Sequence, residues 1–213
     1  MTGAGRFIAF EGGEGAGKST QARMLAAALE ARGLSVVLTR EPGGTPGAEA
    51  IRALVLAADA PDWGPRAEAL LFAAARADHV ERLIRPALAE GRWVICDRYL
   101  DSSRAYQGGE GGLPDAELLA LHTIGSFGLL PDLTVLIEIA PDIAAARLAA
   151  RDLGAADRIG GRDAAYHAQV AAAFARFAQA EPARFRRIDG GGDPQAVHAA
   201  VLSAITPLIE AVA

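Results

Sequence analysis

Residues 12–19 read GGEGAGKS and satisfy the pattern G-x4-G-K-S/T without a mismatch. Four glycines, Gly12, Gly13, Gly15 and Gly17, let the backbone turn so tightly that successive N–H groups can face one anion. Lys18 adds a full positive charge suited to β- and γ-phosphates, and the Ser19 hydroxyl is a Mg²⁺ ligand type. Ala16 and Thr20 complete the loop, and the helix expected to follow contributes its positive end. This is the P-loop chemistry of nucleoside triphosphate binding. GTPases, motor ATPases and small-molecule kinases share it, so the rest of the chain has to choose among them.

The surrounding elements have the order that this chemistry needs. Short apolar runs at 7–10, 36–39, 93–96, 133–139 and 185–188 read as strands. Helical patterns fill 20–31, 48–57, 66–89, 115–124, 142–150, 164–180 and 195–212. Pro86 and Pro207 are expected to kink the helices that contain them. Strands alternating with helices predict an α/β fold, a parallel sheet covered on both faces. Three segments carry more special residues than connectors need: REPGGTPG at 40–47, DRYLDSSRAYQGGEGG at 97–112 and RDLGAADRIGGRD at 151–163. The first two follow predicted strands. Ligands of open parallel sheets bind at the carboxyl ends of strands, so the three segments are expected to converge there with the P-loop.

Composition narrows the classes. The chain has 213 residues, 51% hydrophobic and 22% charged, which suits one domain spanning 1–213 with a large core. A net charge of −5 disfavours a general nucleic-acid partner. No apolar run approaches the ~20 residues of a membrane span, and no signal peptide is evident, so a cytoplasmic protein is expected. The single cysteine, Cys96, lies in an apolar run and reads as core filler. The four histidines, His79, His122, His167 and His198, show no metal-ligand spacing. A guanine-reading N-K-x-D is missing, and no coupling domain remains for a motor. Asp97, at a strand end, could serve Mg²⁺.

With these residues in place, the chain resembles thymidylate kinase. The resemblance rests on FEGGEGAGKST at 10–20, TREPGGTP at 39–46, LLFAAARADHV at 70–80, CDRYLDSSRAYQG at 96–108 and DR at 157–158, in the family's order and at about its spacing. It implies a nucleoside-monophosphate-kinase fold with a five-stranded parallel sheet flanked by helices and a mobile lid over about 151–163. It also implies phosphorylation of dTMP to dTDP by ATP with Mg²⁺, on the path to dTTP, and a homodimer.

The resemblance also assigns roles. Phe72 and Arg76, four apart and so on one helix face, would stack on thymine and bond a base carbonyl. Arg98 would hold the acceptor phosphate. Ser102, Ser103 and Gln107 would line the base edge, and Tyr106 would close on C2′ of the sugar. Glu14, an odd charge inside a phosphate loop, would bond the acceptor 3′-OH. Arg40, Glu41 and Pro42 would form the loop under the acceptor phosphate, with Glu41–Pro42 as a cis peptide. No basic residue precedes Lys18 within the P-loop, which implies the bacterial type with catalytic arginines in the lid: Arg158 first, Arg151 second. The lid departs from the usual pattern at Gly160 and Gln169, and Tyr166 could approach the acceptor sugar. Two alternatives stay open at this point, a kinase of another monophosphate and a nucleotide-binding regulator without chemistry.

Overall fold

The computed structural model describes residues 5–57, 59–109, 111–151 and 158–211, with backbone alone at 151. Among them, five strands form one parallel sheet in the order β2-β3-β1-β4-β5: β1 Phe7–Glu11, β2 Val36–Arg40, β3 Trp93–Asp97, β4 Leu133–Glu138 and β5 Phe185–Asp189. All five match the expected strands to within one residue at either end. β1 and most of β3 and β4 are buried on both faces, which is why they read as unbroken apolar runs. Alternate residues of β1 serve opposite layers. Ile8 and Phe10 pack with α1 (Lys18–Glu30) and α9 (Pro194–Glu210), while Phe7 and Ala9 meet Ile84, Cys96 and Tyr99.

Strand register levels the loops that matter. Phe10 pairs with Asp97, and Asp97 with Arg40. The segments that follow β1, β2 and β3 therefore leave the sheet side by side. The connection from β1 runs to β2 on one side, and that from β3 crosses β1 to β4 on the other, the reversal of direction that opens a crevice at strand ends.

The remaining helices are α2 Pro46–Leu56, α3 Pro65–His79, α4 Arg85–Ala89, α5 Leu100–Tyr106, α6 Asp115–Ser126, α7 Pro141–Arg151 and α8 Ala164–Ala180. The long helix expected at 66–89 is interrupted. Residues 80–84 form a π-helical turn in which the Arg85 N–H donates to the Val80 carbonyl five residues back. Pro86 has no N–H to continue the α ladder, and the wider turn absorbs the defect. The last helix continues through Pro207 to Glu210. The segment 97–112, expected as a connecting loop, contains α5. Its apolar periodicity is weak, and its fixation comes from outside itself. Asp101, fully buried, accepts from Arg104 at 2.9 Å and from Arg184 at 2.6 and 2.9 Å. Arg184 also bonds Thr134 of β4 at 3.0 Å, and Glu181 accepts from both arginines. This network ties α5 to the sheet and to the end of α8. Among the described residues, no helix is long and apolar enough to cross a membrane.

Asp101→Ala leaves Arg104 with Asp115 and Glu181, and Arg184 with Glu181. The loss should therefore fall at the low end for a broken buried pair, about 3 kcal/mol. Urea unfolding monitored by circular dichroism measures it; a change below 1 kcal/mol is incompatible with the network holding α5.

Candidate active site

A cavity of about 640 Å³ opens at the carboxyl ends of β1, β2 and β3. P-loop residues Glu14, Gly15, Gly17, Lys18, Ser19 and Thr20 form one wall. Gly12, Gly13 and Ala16 stand behind it. Gly12 has φ 139°, and a Cβ there would lie 2.3 Å from the Ile137 carbonyl oxygen, so the loop can pass β4 only as glycine. Lys18 is buried and donates to the Gly13 carbonyl at 2.7 Å. Burial, aided by the neighbouring Arg98 charge, pushes its pKa down to about 8.

Opposite the P-loop stands Arg98, the residue after β3. Its backbone has φ 70°, unusual for a residue with a side chain, and its N–H donates to the Phe10 carbonyl at 2.9 Å. The guanidinium donates to the Gly12 carbonyl at 3.1 Å and to the Ser102 hydroxyl at 3.2 Å, and it pairs with Glu14. It lies 4.9 Å from the centre of the Tyr106 ring, whose hydroxyl is 3.4 Å from Glu14. Glu14 thus pairs with the cation across the cavity and also favours the charge on Lys18 of its own loop. This resolves the oddity of a carboxylate in a phosphate cradle.

The deep end of the cavity holds Phe72, Arg76, Ser103 and Gln107. Arg76 is buried and donates to Glu41 at 2.7 Å, to Ser103 at 2.9 Å and to the Tyr99 carbonyl at 3.1 Å. Glu41 is committed to Arg76 and to His79, 3.0 Å away, and the Arg76 charge helps hold its carboxyl below the ordinary value against its burial. Glu41 lines the cavity, yet its oxygens orient protein groups. Glu41–Pro42 is cis, as expected from the resemblance. Arg40 is half exposed at the rim and pairs with Glu49 at 3.2 Å.

Ser19 and Asp97 meet directly: the hydroxyl donates to Asp97 Oδ2. Asp97 Oδ1 is buried and has no hydrogen-bond partner among the described residues. A hydroxyl beside a carboxylate with a spare oxygen fits Mg²⁺, which keeps most of its waters and takes few protein ligands. Among the described residues, no group of three or more His, Cys, Asp or Glu is placed to hold a metal.

The lid arginines are divided. The side chain of Arg151, Asp157 and the rest of 152–157 lie outside the described residues. Arg158 is described, and it does not line the cavity. It donates to the Val55 carbonyl at 3.2 Å and pairs with Glu68 of α3, a buried carboxylate that Arg162 also holds at 2.8 Å and Gln107 at 3.0 Å. Arg162 further bonds Tyr166 at 2.6 Å, and Tyr166 donates to the Tyr106 carbonyl at 2.6 Å. Tyr166 thus stands against the Tyr106 segment. From α7, Arg147 reaches the cavity beside the P-loop and donates to the Gly190 carbonyl at 2.9 Å.

Three groups at the site carry no motif of their own. Glu11 ends the buried strand β1 and is itself fully buried; a charge closing an apolar run was the available signal. Glu68 stands four residues before Phe72, on the same helix face. Arg147 stands four before Arg151 on a predicted helix.

The family model for thymidylate kinase matches residues 10–201. A thymidylate kinase of Rhizorhabdus wittichii is 58% identical over 205 residues, covering 96% of this chain and 99% of that protein. A thymidylate kinase of Bradyrhizobium sp. (strain BTAi1) is 48% identical over 204 residues, covering 95% and 90%. The crystal structure of thymidylate kinase from Ehrlichia chaffeensis superposes with a TM-score of 0.78 at 31% identity, covering 95% and 99% of the two chains. The chain belongs to the thymidylate kinase family.

Gly12→Ala should lose the P-loop path past Ile137. The positive φ and the close approach together cost roughly 3 kcal/mol. Thermal melting should fall by several degrees, and added nucleotide should no longer raise it. A variant that melts like the parent and still gains stability from nucleotide contradicts the proposed packing.

Proposed function

We propose that this member of the thymidylate kinase family phosphorylates dTMP to dTDP with ATP by direct in-line transfer, in the pathway to dTTP. The observation that carries the proposal is the position of Arg98, one cavity wall away from Lys18 and held there by Glu14 and Ser102. Donor and acceptor both bring phosphate anions, and their approach is uphill unless fixed cations stand between them. P-loop amides and Lys18 bind the donor polyphosphate; Arg98 binds the acceptor phosphate. An oxygen of the acceptor phosphate attacks the γ-phosphorus while the bond to the β-bridging oxygen breaks, and ADP leaves with that electron pair. Around neutral pH a phosphate monoester is already mostly ionised, so the attack needs no general base. Ser19 and Asp97 would hold Mg²⁺, which supplies charge neutralisation on the polyphosphate.

Specificity follows from the deep wall. Phe72 offers a ring face for thymine, and Arg76 and Gln107 offer donors whose orientation Glu41, Ser103 and Glu68 fix. Tyr106, packed over Arg98, leaves little room beside the sugar for a 2′-hydroxyl, and Glu14 is the acceptor for a 3′-OH. Residues 151–163 act as the lid of one P-loop kinase domain, with Arg158 and Arg151 as the cations that stabilise the transferring group. Arg158 has to exchange Glu68 for that group, while Arg162 keeps Glu68 paired. Closure excludes water, which would otherwise take the phosphoryl group.

The enzyme is taken to be a cytoplasmic homodimer. Leu54 of α2, Leu70 of α3 and Ile124 of α6 support this: they are apolar and 51%, 56% and 78% exposed, on helices that pack together.

An ADP-release assay over nucleoside monophosphates checks the substrate. Turnover with dTMP should exceed that with CMP and AMP by at least about a hundredfold; equal rates would refute the thymidine pocket. Affinity for ATP should hold from pH 7 to about 8 and then decline as the free protein's Lys18 loses its proton, since its pKa is lowered to about 8. A titration flat to pH 9.5 would contradict a donor site that depends on a Lys18 with a lowered pKa. Leu70→Glu should reduce the sedimenting species to the mass of one chain; an unchanged dimer would place the interface elsewhere.

A further inference from the structure

Glu11 is a buried carboxylate for which packing gives no reason. It is fully buried at the end of β1, where an apolar residue would continue the strand at less cost. No Lys, Arg or His among the described residues forms an ion pair with it. Burial, with Asp101 beside it, pushes its pKa up to about 7, while Arg98 acts in the opposite direction. Among the described residues, its hydrogen bonds come from one segment. Glu11 Oε1 accepts from the Tyr99 N–H at 2.8 Å and from the Ser102 N–H at 3.0 Å, and Oε2 accepts from the Ser102 hydroxyl at 2.6 Å. Tyr99 is the residue after Arg98. The Ser102 hydroxyl, having donated to Glu11, accepts from the Arg98 guanidinium at 3.2 Å.

The carboxylate therefore grips Arg98 twice. Through the Tyr99 amide it holds the backbone that keeps Arg98 at φ 70°, a conformation a side chain disfavours. Through Ser102 it sets the direction of the hydroxyl lone pair that receives the guanidinium. It also caps the first turn of α5 by accepting the Ser102 amide, so the helix carrying Ser102, Ser103 and Tyr106 starts from the same anchor. We propose that Glu11 is a positioning residue that sets Arg98 for the phosphate group of the acceptor. The proposal rests on the role given above to Arg98.

The test separates the phosphate from the rest of the acceptor. Gln in place of Glu11 keeps one oxygen for the two amides and replaces the acceptor of the Ser102 hydroxyl by an NH₂ group. Binding of dTMP and of thymidine, which lacks the phosphate, is measured by calorimetry for the parent protein, Glu11→Gln, Ser102→Ala and the double variant, with ATP measured alongside. Losing one hydrogen bond to an aligned charge predicts that Glu11→Gln weakens dTMP about tenfold. Thymidine and ATP should stay within twofold. The double variant should be no weaker on dTMP than the poorer single one. Charge alone predicts the reverse sign, since removing an anion near Arg98 should tighten an anionic acceptor. Unchanged or tighter dTMP binding overturns the proposal, as does an equal loss of dTMP and thymidine. Should Glu11→Gln fail to fold, Ser102→Ala decides, because it leaves both amide bonds intact: a dTMP to thymidine ratio equal to the parent's overturns the proposal. Arg98→Ala distinguishes the two levels. If it spares dTMP, the role of Arg98 falls and the positioning role with it; if it loses dTMP while Glu11→Gln does not, the positioning role alone falls.

Discussion

Two cations face each other across a cavity cut into the end of a parallel sheet, and the rest of the structure depends on keeping them there. Lys18 and Arg98 are both largely withdrawn from water; burial and the Arg98 charge work against the charge on Lys18, while Tyr106, Glu14 and Asp97 hold the proton on Arg98 against its burial. The arrangement holds because acidic groups are distributed around it: Glu14 against Arg98, Asp97 against Ser19, and Glu11 behind Ser102. Register brings these groups together, since Phe10, Asp97 and Arg40 are level across three strands. A polyphosphate and a second phosphate entering this space meet charges already oriented, and pre-orientation is what makes electrostatic stabilisation effective in a low-dielectric site.

The proposed reaction adds a second constraint: the acceptor end has to be rigid while the lid end exchanges partners. The base wall meets the first demand through anchored donors: Arg76 gives three of its five N–H hydrogens to Glu41, Ser103 and the Tyr99 carbonyl, which fixes the plane of its guanidinium. The Asp101–Arg184–Glu181 network then secures α5 from below. Glu68 serves the second demand. It pairs with two arginines from the lid's end and with Gln107 from the base wall, so the departure of one arginine leaves its buried charge matched. Breaking a buried pair outright is expensive, and a doubly paired carboxylate avoids that cost.

Much of this was legible in the chain itself. β1, β3 and β4 are buried on both faces and so announce themselves as apolar runs, and Gly12 of the P-loop sits against Ile137 where only glycine fits. The convergence of residues 12–20, 40–42 and 97–107 followed from parallel-sheet topology. What stayed hidden was partnership. The motif around Glu41 names a loop, but not that its carboxylate is held by Arg76 and His79 of another element. Helix α5 has no local signature because Glu11 and Arg184, far away in sequence, hold it in place. Arg158 carried a lid motif, but which carboxylate receives it depends on how α3 packs, and no local pattern encodes that.

The central claim is that Arg98 and Lys18 divide the two phosphate groups between them. Separate calorimetric titrations of Arg98→Ala with dTMP and with ATP test it most directly. The account predicts that dTMP affinity falls by about a hundredfold, the loss of a charge-assisted bidentate contact, while ATP affinity stays within about threefold. Equal weakening of both ligands, or unchanged dTMP binding, would contradict it.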